Sequence, residues 1–233
     1  LSPKAGMLAM TVRSYLRDSK KPMVFVPVYT GYEKVFEEKS YLGELRGKAK
    51  KKESLLDVLG TLRSFKKSFG KVNVTFGEPI HLSPYLEERH PGWSNQDYEA
   101  CNYRPDWAPE LVDELATTVV TEINRAASVN PINLIALAIL ASPRQAMDEN
   151  QLMRHMEAYR DLLAMVPYSD MTVLPDGHAS DWLAHAEELG CVSRSSHDMG
   201  DLIQTNERQA VTLTYYRNNV LHIIALPSLI ACL

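Results

Sequence analysis

The stretch MVFVPVYTGYE, residues 23–33, opens the segment whose reading decides the fold. It is an apolar run with strand-forming composition, and it leads into LRGKAKKKESLLDVLGTLRSFKKSFG, residues 45–70. A second strand-like run, KVNVTFGEPI, follows at 71–80. A strand, a basic helical crossover and a second strand describe an α/β unit with a positive face. Pro27 removes a ladder donor from the first strand and places it at an edge or a bulge. In the crossover, Leu55, Val58, Leu59, Leu62, Phe65 and Phe69 form one apolar stripe, which predicts a helix over 53–69. Gly70 stands where a left-handed C-cap belongs. Val72, Val74 and Phe76 alternate with Asn73 and Thr75, so the second strand has two unlike faces.

Working outward, Leu8, Val12, Tyr15 and Leu16 recur at helical spacing and predict a helix over 5–18. Residues 83–108 carry Pro84, Pro91, Gly92 and Pro105 and read as a loop-rich connector. The expected organisation is therefore an α/β portion at 1–82, the connector at 83–108, and a mainly helical region at 109–233. Pro109 starts a helix along which Leu111, Leu115, Val119 and Ile123 step by four. Pro131 starts an almost wholly apolar, buried helix that runs to Ala141. Asp148 and Gln151 form a capping-box-like start to a third, with Leu152, Met156, Tyr159 and Leu163 inward. Trp182, Leu183, Ala186 and Leu189 mark a fourth, ended by Gly190. Strands near 201–205 and 210–215 are expected to pair as a hairpin across Asn206–Gln209. This order is winged-helix-like. Residues 131–233, however, hold 6 Lys+Arg against 12 Asp+Glu. Nucleic-acid affinity comes largely from neutralising phosphates, so a nucleic-acid partner is not expected.

Charge is divided unevenly along the chain. Residues 1–71 hold 16 Lys+Arg against 7 Asp+Glu, while 72–233 hold 9 against 22. Such asymmetry separates a surface that meets anions from one that does not. Arg46, Lys48, Lys50, Lys51 and Lys52 concentrate five cations within seven residues. They are candidate contacts for nucleotide phosphates, an acidic carrier protein or an anionic leaflet. Cys101, Cys191 and Cys232 are odd in number and form no CxxC, which argues against a disulfide framework. The seven histidines lack ligand spacing, so no metal site is expected. Ser195, His197 and Asp198 are near in sequence, but triads are assembled in space. The closing run VLHIIALPSLIACL, residues 220–233, has 14 residues and contains Pro227. At about 1.5 Å per residue it is too short to span a bilayer core of about 30 Å, so it reads as buried or interfacial. The chain opens at Leu1 and closes inside that apolar run, which reads as a cut from a longer protein.

Several segments together resemble the bacterial, membrane-associated glycerol-3-phosphate 1-O-acyltransferases. They are KAGMLAMTVRSYL (4–16), FVPVYTGYEKVFEEKSYLGELRGKAKKKESLL (25–56), VNVTFGEPI (72–80), INLIALAILAS (132–142), VPYSDMTVLP (166–175) and TYYRNNVLHIIALPSLIA (214–231). The resemblance implies transfer of an acyl chain from acyl-CoA or acyl carrier protein to glycerol 3-phosphate, at the cytoplasmic face of the inner membrane. It implies no metal, prosthetic group or other cofactor. That family has four acyltransferase blocks. The first, His-x4-Asp, supplies the general base, and no histidine here has aspartate five positions later. The second and third blocks are absent too, so no catalytic residue is expected within this chain. The fourth corresponds to Phe25, Val26, Pro27, Val28 and Tyr29, an apolar strand with a polar tip that is expected to wall the acyl substrate. Two alternatives are a non-enzymatic helical interaction module and a related acyltransferase acting on dihydroxyacetone phosphate or lysophosphatidate.

Overall fold

A computed structural model describes residues 3–34, 70–98, 105–198 and 200–232. The fold is mixed and mainly helical, with small antiparallel sheets. It forms two compact units, one of residues 1–29 with 74–127 and one of 30–73 with 128–233.

In the first unit, helix α1 (Gly6–Arg17) buries Val12, Tyr15 and Leu16, one stripe at helical spacing. Strands β1 (Val24–Phe25) and β4 (Ile80–His81) pair antiparallel, Phe25 opposite Ile80. Between them in sequence run β2 (Val28–Tyr32) and β3 (Val72–Phe76), which pair with each other and are each divided between the two units, at 29/30 and 73/74. The Gly77 amide donates to the Pro27 carbonyl at 2.8 Å, and the Glu33 amide to the Lys71 carbonyl at 3.2 Å. Partner numbers fall as strand numbers rise, so this ladder is antiparallel too. The crossover anticipated from the sequence is corrected accordingly: the chain returns beside β2 in the opposite direction. The helix predicted at 53–69 and the cluster at 46–52 lie outside the described residues.

The stretch read as a loop-rich connector carries structure of its own. Helix α2 (Leu82–Arg89) follows β4 directly and buries Leu82, Tyr85 and Leu86. Pro84 falls in its first turn, where amides lack intrahelical acceptors and a missing N–H costs nothing. A 3-10 turn at Trp93–Asn95 and Tyr98 bring two more buried aromatic side chains. Helix α3 (Ala108–Arg125), with Pro109 in its first turn, contributes Leu111, Val112 and Leu115. These residues, with Val12, Tyr15 and Leu16 of α1, make one continuous core against which Phe25 packs.

The second unit is organised around α4 (Pro131–Ala141), whose Ile132, Leu134, Ile135, Ala136, Ala138 and Ile139 are all buried. A reciprocal capping box between Asn130 and Asn133 starts it. Strand β5 (Ala146–Asp148) leads into α5 (Glu149–Met165), whose N-cap Asp148 accepts from the Gln151 amide. Then come α6 (Ala179–Glu188), β6 (Ser193–Ser195), β7 (Leu202–Gln204) and α7 (Glu207–Ala231). The sheet order is β5-β7-β6, antiparallel throughout.

The hairpin expected across Asn206–Gln209 is a correction. β7 pairs backward with β6, Arg194 opposite Ile203, and 210–215 are helical. Asn206 and Gln209 form the capping box of α7 instead. The alternation in AVTLTY is overridden by tertiary packing, because Ala210, Leu213, Tyr216, Val220, Ile223 and Ile224 bury one helical stripe. In the closing run Val220, Ile223 and Ile224 are buried, whereas Leu226, Leu229 and Ile230 are exposed. Among the described residues no helix is long and apolar enough to cross a membrane.

Candidate functional site

Phe25 to Tyr29 begin in one ladder and end in another. β1 stops at Phe25, and β2 begins at Val28. Pro27 stands at the break, without a donor to offer but with its carbonyl taken by Gly77. Gly77 leaves room for this approach: a Cβ there would lie 3.0 Å from the Glu122 carbonyl oxygen and 3.2 Å from the Pro27 Cβ. The five residues do not share one face. Phe25, Pro27 and Tyr29 are at least half-buried, whereas Val26 is 49% and Val28 39% exposed.

The antiparallel register sets Val28 opposite Phe76, which is 63% exposed, and Val74 on the same face of β3 is 53% exposed. Val28, Val74 and Phe76 therefore present an open apolar face, and Val24 and Val26 on the other side of the Pro27 break are exposed as well. The usual arrangement is the reverse, with the apolar set of a half-covered strand turned inward. A cavity in this unit, between α1 and α3 and lined by Val12, Leu16 and Val112, measures about 90 Å³.

At the far end of β2 the structure holds a group that the sequence reading passed over. Glu33 is 3% exposed. One of its oxygens, Oε2, accepts from the Lys71 amide at 2.6 Å and lies 2.8 Å from His185 Nε2 of α6. The next residue, Lys34, donates from Nζ to the Leu189 carbonyl at the end of α6, at 2.7 Å. Asn130 Nδ2 donates to the Tyr32 carbonyl at 3.4 Å. Gly70 has φ of +70°, the left-handed conformation expected of it. Glu33 and His185 are 152 positions apart, so no local motif announces the pair.

Charge is also concentrated at Arg194 of β6. Its guanidinium reaches Glu149 at 2.7 Å, Glu187 at 2.8 Å and Asp201 at 2.8 Å. Hydrogen bonds to Glu149, Glu187 and Asp201, in that order, raise the Arg194 pKa. The same contact, with one from Ser196, holds the Asp201 carboxyl below the usual aspartate range. Arg194 thus ties the start of α5 and the end of α6 to the β6–β7 hairpin. Arg194→Ala is expected to lower the thermal midpoint by about 2–4 °C, the effect of roughly 1 kcal/mol in a chain of this size. Because the folded Asp201 pKa is depressed, its contribution is complete above the ordinary aspartate pKa. It is lost as pH falls through the lower folded value. Melts of the two proteins between pH 7 and pH 3 therefore converge in acid; a constant gap would remove Asp201 from this account.

Ser195 Oγ and His197 Nε2 lie 3.3 Å apart on the exposed hairpin. His222 meets Tyr168 edge-on, with ring centroids 5.2 Å apart. Among the described residues no group of three His, Cys, Asp or Glu side chains is placed to hold a metal ion. The candidate cations Arg46, Lys48, Lys50, Lys51 and Lys52 lie outside the described residues.

Comparison with known proteins adds the wider context. Residues 41–233 match a family model described as Glycerol-3-phosphate acyltransferase C-terminal region. The chain is 48% identical over 231 residues to a glycerol-3-phosphate acyltransferase of Pseudomonas paraeruginosa, covering 99% of this chain and 28% of that protein. To the protein of that name from Pseudomonas putida strain GB-1 it is 49% identical, with 28% of the relative covered. The corresponding Pseudomonas fluorescens protein is 48% identical, with 27% covered. The chain thus spans under a third of the length of these curated relatives.

Proposed function

Because the chain belongs to the glycerol-3-phosphate acyltransferase C-terminal region family, we propose that it forms part of an enzyme that moves a fatty acyl chain from acyl-CoA or acyl carrier protein to the sn-1 hydroxyl of glycerol 3-phosphate. This is the first acylation of phospholipid synthesis. In this reading residues 1–82 end the acyltransferase domain, and 109–233 form the region that follows it. The general base that takes the hydroxyl proton lies in the rest of the longer protein, since this sequence has no His-x4-Asp. No metal or prosthetic group takes part.

The observation that carries the assignment of a site is the open apolar face beside the Pro27 break. A thioester-bound acyl chain needs an apolar wall, and Val26 and Val28, both exposed, supply one. Phe25, Pro27 and Tyr29 hold that wall in place from its packed side. The order α4-β5-α5-α6-β6-β7, with β7 between β5 and β6, is winged-helix-like. We read the acidic stretch 131–233 as an interaction and packing module, not a nucleic-acid reader.

The test compares the longer protein with this 233-residue chain, supplying palmitoyl-CoA and glycerol 3-phosphate. Transfer is expected from the longer protein alone. Transfer by the 233-residue chain would overturn the placement of the base, and a longer protein that prefers dihydroxyacetone phosphate or lysophosphatidate would overturn the acceptor. The cluster at 46–52 is assigned to an acidic carrier or to the anionic cytoplasmic leaflet of the inner membrane, each nearby cation being worth about 1 kcal/mol at such a surface. Replacing Lys50, Lys51 and Lys52 with glutamate is expected to abolish low-salt co-sedimentation with phosphatidylglycerol vesicles and low-salt binding of acyl carrier protein. Retention of both would refute the assignment.

A further inference from the structure

We propose that Glu33 is a positioning residue for acyl transfer, acting through His185 and the Lys71 amide to fix the register of β2 against β3. The proposal rests on the reading of Val26 and Val28 as the acyl-facing wall.

A two-stranded ladder is marginal on its own, and a slip of one residue exchanges its two faces. In β2 that slip would turn Val28 inward and Tyr29 outward. The Pro27 end resists it through the Gly77 amide, which donates to the Pro27 carbonyl, and through Phe25 opposite Ile80 beyond the break, although Pro27 lacks the donor that would complete its own pair. The other end needs a lock of its own, and there Glu33 is bonded twice to the same partner residue. Its amide donates to the Lys71 carbonyl at 3.2 Å, and its carboxylate accepts from the Lys71 amide at 2.6 Å.

A carboxylate taken this far from water costs several kcal/mol of desolvation, which partners only offset. Burying such a group is thus a weak source of stability, and fixing a register is the best attested use of buried polar contacts. His185 Nε2 at 2.8 Å satisfies the same oxygen from α6, and Lys34 anchors the next residue to the carbonyl that ends α6. Gly70 completes the fit, since any Cβ there would stand 2.7 Å from Glu33 Oε2. In this register the Glu33 amide, the Glu33 Oε2 and the Lys71 amide and carbonyl are all paired.

The test uses the full-length enzyme with Glu33→Gln and His185→Gln. Two readouts are needed: the ratio of kcat/KM for palmitoyl-CoA to that for lauroyl-CoA, and hydrogen exchange at residues 28–33 and 70–76. Both variants are expected to change the chain-length ratio at least fivefold and to speed exchange at least tenfold, with the double variant no worse than the more severe single one. A lower melting temperature with ratio and exchange unchanged would leave Glu33 a purely structural group and overturn the proposal. If Glu33→Gln does not fold, His185→Gln decides, since the His185 side chain is 27% exposed and tolerates truncation better. A wild-type enzyme that fails to acylate glycerol 3-phosphate defeats the functional reading separately. In that case the exchange measurement still decides whether Glu33 sets the register.

Discussion

Asn133→Leu is expected to destabilise the fold by about 3 kcal/mol, although the substitution keeps side-chain volume and adds apolar surface to an apolar helix. Asn133 is buried at the third position of α4. Its Oδ1 accepts from the Asn130 amide at 2.8 Å, and its Nδ2 donates to the Tyr216 carbonyl of α7 at 2.9 Å. In return Asn130 Oδ1 accepts from the Asn133 amide at 3.0 Å. Leucine leaves the buried Asn130 amide without that acceptor, at a cost of about 1–3 kcal/mol. It also removes the tie between two helices and weakens a cap that is itself worth about 1 kcal/mol. Urea unfolding should show a lower midpoint with the slope unchanged. Asn133→Asp keeps the acceptor and loses the donor, so it separates the cap from the tie to Tyr216. A Leu variant with the wild-type midpoint would mean that the reciprocal bonds contribute nothing net.

Gly70→Ala is expected to cost a similar amount for a different reason. Its φ of +70° is left-handed, which costs an L-residue about 1–2 kcal/mol. The new Cβ would also stand 2.7 Å from Glu33 Oε2, 2.8 Å from Glu33 Cβ and 3.2 Å from Leu189 Cδ1. A flexible side chain would swing aside, but this one is held by the Lys71 amide and His185 and is nearly sealed from solvent. Overpacking of this kind adds about 1–3 kcal/mol. The expected total of about 3 kcal/mol lowers the melting temperature by roughly 6–12 °C. Gly70→Asn distinguishes the two causes: asparagine accepts the left-handed backbone but not the crowding, so it should not rescue. A melting temperature within 2 °C of wild type for Gly70→Ala would contradict the close approach.

Punctuation residues made much of this architecture legible. Pro109, Pro131 and Asp148 open helices where the sequence places them, and Gly190 follows the end of α6. The failures share one physical origin, which is that identical local signals serve different ends. Pro84 reads as a loop residue yet is harmless in a first helical turn. Val211, Leu213 and Tyr215 alternate like a strand, but the stripe that packs is helical, and Asn206-x-x-Gln209 was the better signal. At the candidate site, composition identified 25–29 as an apolar strand but not which face is covered. That depends on a register fixed from Glu33 by partners at 71 and 185. Contacts of such separation leave no periodic trace in a sequence.

The break at Pro27 has a consequence outside the folded state. Residues 24–30, Val-Phe-Val-Pro-Val-Tyr-Thr, hold the composition that stacks most readily into cross-β assemblies when strands of separate copies meet. With an imino acid at their centre, no six consecutive residues of that run are free of proline, and none can form an unbroken intermolecular ladder. The residue that divides β1 from β2 is thus also a built-in gatekeeper, protecting a nascent polypeptide that must keep valines turned outward.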